Sequence, residues 1–329
     1  MKQQLLSSLV CVRCQSALEL RNAVRLGREI ARGELVCRAC GQSYPVRDGI
    51  PRFVPNGAYA ASFGREWHWF RGVQIDARNG ADDSERQLAA TTGYGDADYA
   101  GRRMLDAGVG AGRFAEVAAR KGAEVVGVDL TEAVDAAAQN LRGYDRVDLV
   151  QADIFALPFR PESFDTVYSI GVLHHTPDPA RAFRCVAERC RPGGDVAIYV
   201  YARNGIADKA PDLIRKVTTK LPPRVMLAVA SYAVFAYPLY RAPLLGKALR
   251  LVAPISEEPR WRWRWLDTFD GYTPTYQWKH TYPEVLGWFR AAGVGDLVAD
   301  EQPIRIHGRR QAEAGAPGQV ALAPAGRAA

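Results

Sequence analysis

The run Met104-Leu105-Asp106-Ala107-Gly108-Val109-Gly110-Ala111-Gly112-Arg113-Phe114 constrains this chain more than any other stretch. An apolar strand ends in a glycine-rich turn, and a helix opens at Arg113. Glycine suits a turn where backbone must approach a ligand closely. The amides of that turn and of the helix N-terminus favour a carboxylate or a phosphate. The alternation continues, with strands expected at Glu124–Asp129, Val147–Val150, Phe164–Ile170 and Asp195–Tyr201. Helices are expected at Arg113–Lys121 and Pro179–Cys190. Strands alternating with helices imply an α/β, Rossmann-like fold with a parallel sheet.

A glycine-rich turn alone also suits a dinucleotide. Two details favour S-adenosylmethionine. The glycines run GxGxG, and Arg113 stands where the dinucleotide fingerprint places no such break. Asp106, two residues before Gly108, is positioned to meet a ligand ammonium. Asp129 ends the second strand, where a carboxylate accepts ribose hydroxyls. Asp153 follows the third strand and is suited to the adenine amino group. Each acid alone reads equally well as a helix cap or a solvated loop charge; their order and spacing carry the reading.

Residues 101–201 resemble the core of class I S-adenosylmethionine-dependent methyltransferases, of the type 11 kind. Phe164-Asp165-Thr166-Val167-Tyr168-Ser169-Ile170-Gly171-Val172-Leu173-His174-His175 matches their fourth-strand motif. Arg191-Pro192-Gly193-Gly194-Asp195 matches the turn before their fifth strand. The resemblance implies a seven-stranded sheet whose last, antiparallel strand is Ile304–His307. It implies that Gly108, Gly110, Gly112, Asp129, Leu130, Asp153 and Ile154 bind the cofactor, with Ile170 and Gly171 lining the site.

Cys11-x2-Cys14 and Cys37-x2-Cys40 form two knuckles whose four thiolates suit a tetrahedral zinc ion. No open ligand position remains, so the metal should be structural. Reduced, unligated cysteines or a redox pair are the alternatives. Cys185 and Cys190 read as buried core thiols. Residues 5–54, including Gly41-Gln42-Ser43-Tyr44-Pro45-Val46-Arg47-Asp48-Gly49-Ile50-Pro51, resemble the small zinc-ribbon activator subunits of methyltransferases.

The expected organisation is a ribbon (1–55), a lid or linker (56–100), the cofactor-binding core (101–202), a helical and aromatic substrate-side insertion (203–280), the last helix and strands (281–308), and a disordered tail (309–329). Ser62-Phe63-Gly64-Arg65-Glu66-Trp67 resembles the N-terminal lid of a bacterial methyltransferase branch similar to glycan and secondary-metabolite enzymes. Trp265 to Asp270, and on to His280-Thr281, resembles the same branch.

The net charge is +7, and its location is informative. Residues 203–264 hold 12 Lys/Arg against four Asp/Glu, so the rest of the chain is near neutral. Charge confined to one segment suggests an acidic substrate or an anionic surface met there. Val225 to Tyr240 is uncharged and mostly apolar, too short to span a bilayer. It reads as a lid packed on the core or as a face dipping into lipid. Arg260-Trp261-Arg262-Trp263-Arg264-Trp265 reads as a strand with tryptophans on one face.

The N-terminal apolar stretch is too short for a signal segment, so a cytoplasmic chain is expected, membrane-peripheral in the reading where 225–240 dips into lipid. His175, His174 and His280 are the candidate bases; for His175, shaping the pocket is an equally good reading. The leading expectation is O- or C-methylation of a small-molecule, glycan or lipid-linked acceptor. RNA methylation is the first alternative, and a non-catalytic cofactor-binding adapter is the alternative of another class.

Overall fold

The computed structural model describes residues 1–54, 69–300, 303–312 and 320–322. The Ser62–Trp67 stretch lies outside these residues.

The N-terminal unit begins with the short helix α1 (Gln3–Ser8). An antiparallel sheet follows, formed by β1 (Leu18–Leu26), β2 (Glu29–Cys37), β3 (Ser43–Arg47) and β4 (Ile50–Pro51). This unit is built onto the second sheet. Phe53 donates its amide to the Gln151 carbonyl at 2.8 Å, and Val10 donates to the Pro158 carbonyl at 2.9 Å. The Arg52 guanidinium reaches Asp135 at 2.6 Å and Gln151 at 2.8 Å. Met1, Leu5, Leu9 and Tyr44 share one apolar cluster with Val126, Val150 and Phe159.

The second sheet contains β5 (Arg103–Ala107), β6 (Glu124–Asp129), β7 (Val147–Gln151), β8 (Phe164–Ile170), β9 (Cys190–Val200), β10 (Val294–Ala299), β11 (Ile304–Arg310) and β12 (Val320–Leu322). Its order is β12-β10-β11-β9-β8-β5-β6-β7. From β7 to β9 neighbouring strands pair in parallel, and β11 is antiparallel to both β9 and β10. Chain order reverses at β5, between β6 and β8, which opens a crevice beyond their carboxyl ends. The flanking helices include α2 (Asp76–Asn79), α3 (Asp83–Thr92), α4 (Arg113–Arg120), α5 (Ala133–Asn140) and α6 (Pro179–Ala187). Buried Phe114, Val117 and Ala118 of α4 share a cluster with Met104, Val125 and Tyr168, which is how apolar spacing on α4 covers the sheet.

Among the described residues the sheet has one strand more than the expected seven, because Val320–Leu322 pairs in parallel with Leu297–Ala299. Of the expected disordered tail, residues 313–319 and 323–329 lie outside the described residues. β11 continues to Arg310, whose guanidinium donates to the Glu188 carbonyl at 3.0 Å. Three residues with strand-compatible side chains suffice to extend an exposed edge.

The insertion is helical: α7 (Lys209–Thr218), α8 (Pro223–Ala230), α9 (Tyr232–Tyr240), α10 (Pro243–Val252) and α11 (Trp261–Tyr272), before α12 (Tyr282–Ala291) returns to the sheet. The strand expected at Arg260–Trp265 is thus a helix. The two-residue alternation is overridden by the longer 3–4 spacing of buried Trp263, Leu266, Phe269 and Tyr272. Trp261 and Trp265 consequently stack one turn apart, with centroids 6.5 Å apart, while Trp263 faces inward beneath the Arg260 guanidinium at 4.1 Å.

Arg264 is buried rather than solvated. It lies 3.7 Å from the Tyr237 ring centroid and donates to the carbonyls of Ala233, Glu258 and Pro259 at 3.1, 2.6 and 3.0 Å. Removing the donor strands those carbonyls in a dry site, at about 1–3 kcal/mol for each buried polar group left unmet. Arg264→Met should lower the stability measured by urea unfolding by about 2 kcal/mol or more, whereas exposed Arg262→Met should change it by less than about 0.5 kcal/mol.

Candidate metal centre and cofactor cavity

The loop after Leu9 and the turn after β2 bring Cys11, Cys14, Cys37 and Cys40 together. Their four sulfurs lie within 4.8 Å of one another. Cys11 and Cys40 are 3.6 Å apart, and Cys14 and Cys37 are 3.4 Å apart. A zinc ion with about 2.3 Å bonds in a tetrahedron requires sulfurs about 3.8 Å apart, so the set fits it. Ser16 and the Cys37 sulfur draw the Cys14 thiol down to about 6. The Gln42 amide pulls Cys40 the same way, but burial and the three neighbouring sulfurs push it up to about 12. A divalent cation would displace protons from such a cluster. No cysteine beyond these four joins it: Cys190 is buried, with its thiol pushed up to about 12 by burial.

A cavity of about 410 Å³ opens at the carboxyl ends of β5, β6 and β8. Its lining takes Gly108–Ala111 from the turn, Asp129 and Leu130 from the tip of β6, Asp153 and Ile154 after β7, and Ile170, Gly171 and His175 after β8. Gly108 has φ +98°, and a Cβ there would collide with Val172. The Gly110 amide donates to Asp129 Oδ2 at 3.0 Å, while the Thr131 amide and hydroxyl donate to Oδ1 at 2.9 and 2.8 Å. Burial raises the Asp129 carboxyl against these donors. Asp129 makes no ion pair among the described residues, so its acceptor capacity faces the cavity. The Asp153 side chain accepts from the Phe155 amide at 2.9 Å, which fixes it at the start of a short 3₁₀ turn. A glycine cradle, a buried carboxylate at a strand tip and a second acid across an apolar slot fit S-adenosylmethionine.

Two expected ligands take other positions. Asp106 is 1% exposed and lies behind the lining, where it accepts from the Tyr168 hydroxyl at 3.1 Å. Burial and the charge of Asp129 push its carboxyl up to about 7, against the Tyr168 hydrogen bond. It stands outside the cavity lining, directly before the turn. Gly112 caps α4 at φ +89°, and a Cβ there would stand 2.7 Å from Leu141. Its lack of a side chain serves helix packing.

The histidines separate. His175 lines the cavity, its Nδ1 2.8 Å from the Tyr276 carbonyl, so Nδ1 carries the hydrogen. Burial draws it down to about 4, partly opposed by that carbonyl. His174 is fully buried against the Tyr201 ring, centroids 3.8 Å apart, and neither nitrogen has a hydrogen-bond partner among the described residues. His280 lies outside the lining, beside Trp288 and 3.6 Å from Glu284.

A second cavity of about 530 Å³ adjoins the first and shares Tyr199, Tyr201 and Asp267 with it. Asp267 and Asp270, from α11, and Gln74, before α2, also line the first cavity. These three were absent from the sequence-based site. The Trp265–Asp270 run held a signal in its two acids one helical turn apart. Gln74 offered none.

Residues 105–198 match the model of a methyltransferase domain, and residues 2–49 match that of the Trm112p-like proteins. Two separate segments of the chain thus match two family models, each over less than half of its length. It is 37% identical over 108 residues to the ubiquinone biosynthesis O-methyltransferase of Pseudomonas entomophila, covering 32% of this chain and 47% of that protein. It is 38% identical over 111 residues to the protein of the same name from Pseudomonas putida, covering 33% and 48%. The chain thus spans about half the length of the curated relatives it matches. Among solved structures, the complex between the Haloferax volcanii Trm112 methyltransferase activator and the putative methyltransferase is 21% identical. That likeness covers 44% of this chain and 63% of the matched one, with a TM-score of 0.37.

The Trm112p-like domain shares its apolar cluster with the methyltransferase sheet, so loss of its metal should be felt in both. The purified chain should hold one zinc per molecule by elemental analysis. Cys37→Ser should lose the metal and lower the melting temperature of the whole chain by about 5 °C or more.

Proposed function

We propose that the chain transfers a methyl group from S-adenosylmethionine to a small or lipid-linked acceptor, at oxygen or carbon. The observation that carries this reading is a cavity lined by the glycine turn, Asp129 and Asp153, which shares Tyr199, Tyr201 and Asp267 with a second cavity of acceptor size. In this reading Gly108 and Gly110 receive the amino-acid end of the cofactor. Asp129 and Leu130 hold the ribose, and Asp153 with Ile154 holds the purine. Ile170 and Gly171 close the slot, while Asp106 and Gly112 support the turn. The bound sulfonium supplies an already activated methyl group, so the protein's task is to position the acceptor and exclude water. His175 orients the wall: its Nδ1 hydrogen is committed to Tyr276, and its low basicity suits shaping better than proton removal. The chain is placed in the cytoplasm, where thiols stay reduced for the metal.

Calorimetry with S-adenosylhomocysteine tests the cofactor assignment. The native chain should bind one equivalent, and Asp129→Ala should weaken binding tenfold or more, about 1.4 kcal/mol. No heat from the native chain would contradict it. Labelled S-adenosylmethionine added with fractionated cell extract should place label in the small-molecule or lipid pool; label in RNA would establish the nucleic-acid alternative.

The helical insertion supports a further part of this reading, contact with an anionic lipid surface. No helix among the described residues is long and apolar enough to cross a membrane. Yet Phe235, Leu244 and Val252 are 81, 84 and 69% exposed, and the same helical segment carries the exposed cations Arg224, Arg241 and Lys247. These three cations form no ion pairs among the described residues. Exposed apolar side chains and exposed cations on one helical segment suit an anionic bilayer interface. The chain should co-sediment with phosphatidylglycerol vesicles and not with phosphatidylcholine vesicles, and a Phe235→Ser, Leu244→Ser variant should lose this. Equal partition of native and variant chains would contradict it.

A further inference from the structure

The two cavities share one carboxyl side chain. Asp267, on α11, lines both, as do Tyr199 and Tyr201. Its carboxylate is oriented by neutral donors: Gln74 Nε2 to Oδ1 at 3.1 Å and Ser256 Oγ to Oδ2 at 3.2 Å. Asp267 forms no ion pair among the described residues. Beyond it the second cavity presents Tyr199, Tyr201 and Tyr272 with Pro254 and Ile255, a lining suited to a flat apolar ring.

We propose that Asp267 is the general base of the reaction and that the acceptor is an aromatic hydroxyl seated in the second cavity. This rests on the methyltransferase reading above and deepens it. In the step, the acceptor O–H proton passes to a carboxylate oxygen of Asp267. The oxygen's electron pair forms the new O–C bond, and the pair of the breaking C–S bond remains on sulfur. Charge balances, because the sulfonium becomes a neutral thioether as the carboxylate becomes a neutral acid.

Several charged or titratable groups surround Asp267. Asp270 lies one turn away on α11, and Glu258 precedes that helix. Arg113 comes from α4, Tyr199 and Tyr201 from the end of β9, and His175 from beyond β8. Asp208 and Lys279 lie on the far side of the second cavity, paired with each other at 3.3 Å. Burial, then the charge of Asp270, pushes the Asp267 carboxyl up to about 7, while Arg113 opposes them. A base is most effective when its pKa lies near the working pH, and His175, drawn down to about 4, is far from that condition. Gln74 and Ser256 are positioning residues, since each holds one carboxylate oxygen.

The test uses the full zinc-loaded chain and its Asp267→Asn variant, with catechol and 3,4-dihydroxybenzoate as acceptor probes. Both proteins should bind S-adenosylhomocysteine within threefold of each other. The native rate on a catechol probe should rise with pH through about 7 and level above it. The variant should be 100-fold slower or more and should lack that limb, in line with the ~10²–10⁴ contribution of a positioned base. Independently of turnover, carbon-13 spectra of Asp-labelled native protein should contain a carboxyl titrating near 7 that is missing from the variant. A variant within threefold of the native rate, no near-7 carboxyl signal lost on the substitution, or a chain that binds S-adenosylhomocysteine but methylates neither probe would each overturn the proposal. Failure of the native chain to bind S-adenosylhomocysteine would instead overturn the methyltransferase reading itself.

Discussion

The turn between β5 and α4 is the constraint on which the rest of the structure depends. Backbone at Gly108 passes so close to Val172 that no side chain fits, and its positive φ excludes most other residues. The Gly110 amide then binds the Asp129 carboxylate at the tip of the neighbouring strand. One hydrogen bond thereby couples the loop after β5 to the end of β6, and their separation sets the width of the cavity. Asp106, buried just before the same turn, accepts from the Tyr168 hydroxyl on the neighbouring strand.

Much of this was legible in the sequence, for physical reasons. Parallel strands buried on both faces leave continuous Val-rich runs, and Glu124–Asp129 appears in the structure with the bounds read from its residues. The cysteine spacing was equally direct, because four sulfurs in two knuckles can converge in few other ways. Asp129, Asp153, Ile154, Ile170 and Gly171 all line one cavity, since each directly follows or ends a strand of a single sheet. The insertion was harder to read. Alternation of Arg and Trp over six residues imitates a strand, and only the continuation to Tyr272 reveals helical spacing. Arg264 illustrates the same difficulty: a guanidinium is expected in water, yet three carbonyls converge on this one. Such convergence is tertiary and leaves no trace in local sequence. Gln74 reaches the cavity for the same kind of reason, brought there by packing between distant segments.

The two domains are joined by more than chain connectivity. The strand that closes the Trm112p-like sheet runs on so that Arg52 pairs with Gln151 at the edge of the methyltransferase sheet. An open edge is a liability in any sheet, and here the N-terminal domain covers it. At the opposite end of the site, the helical insertion supplies α11, whose acids complete a wall that the parallel sheet alone cannot provide. The first cavity is therefore walled by the strand ends together with α11, and the second by α11 together with the end of β9.

The central claim is that this turn, with Asp129 and Asp153, holds S-adenosylmethionine. A crystal structure of the chain grown with S-adenosylhomocysteine tests it most directly. The amino-acid end of the ligand should lie at Gly108 and Gly110, both ribose hydroxyls on Asp129, and the purine beside Asp153 and Ile154. A crevice empty at saturating ligand, or one filled by a nicotinamide dinucleotide in preference, would contradict it.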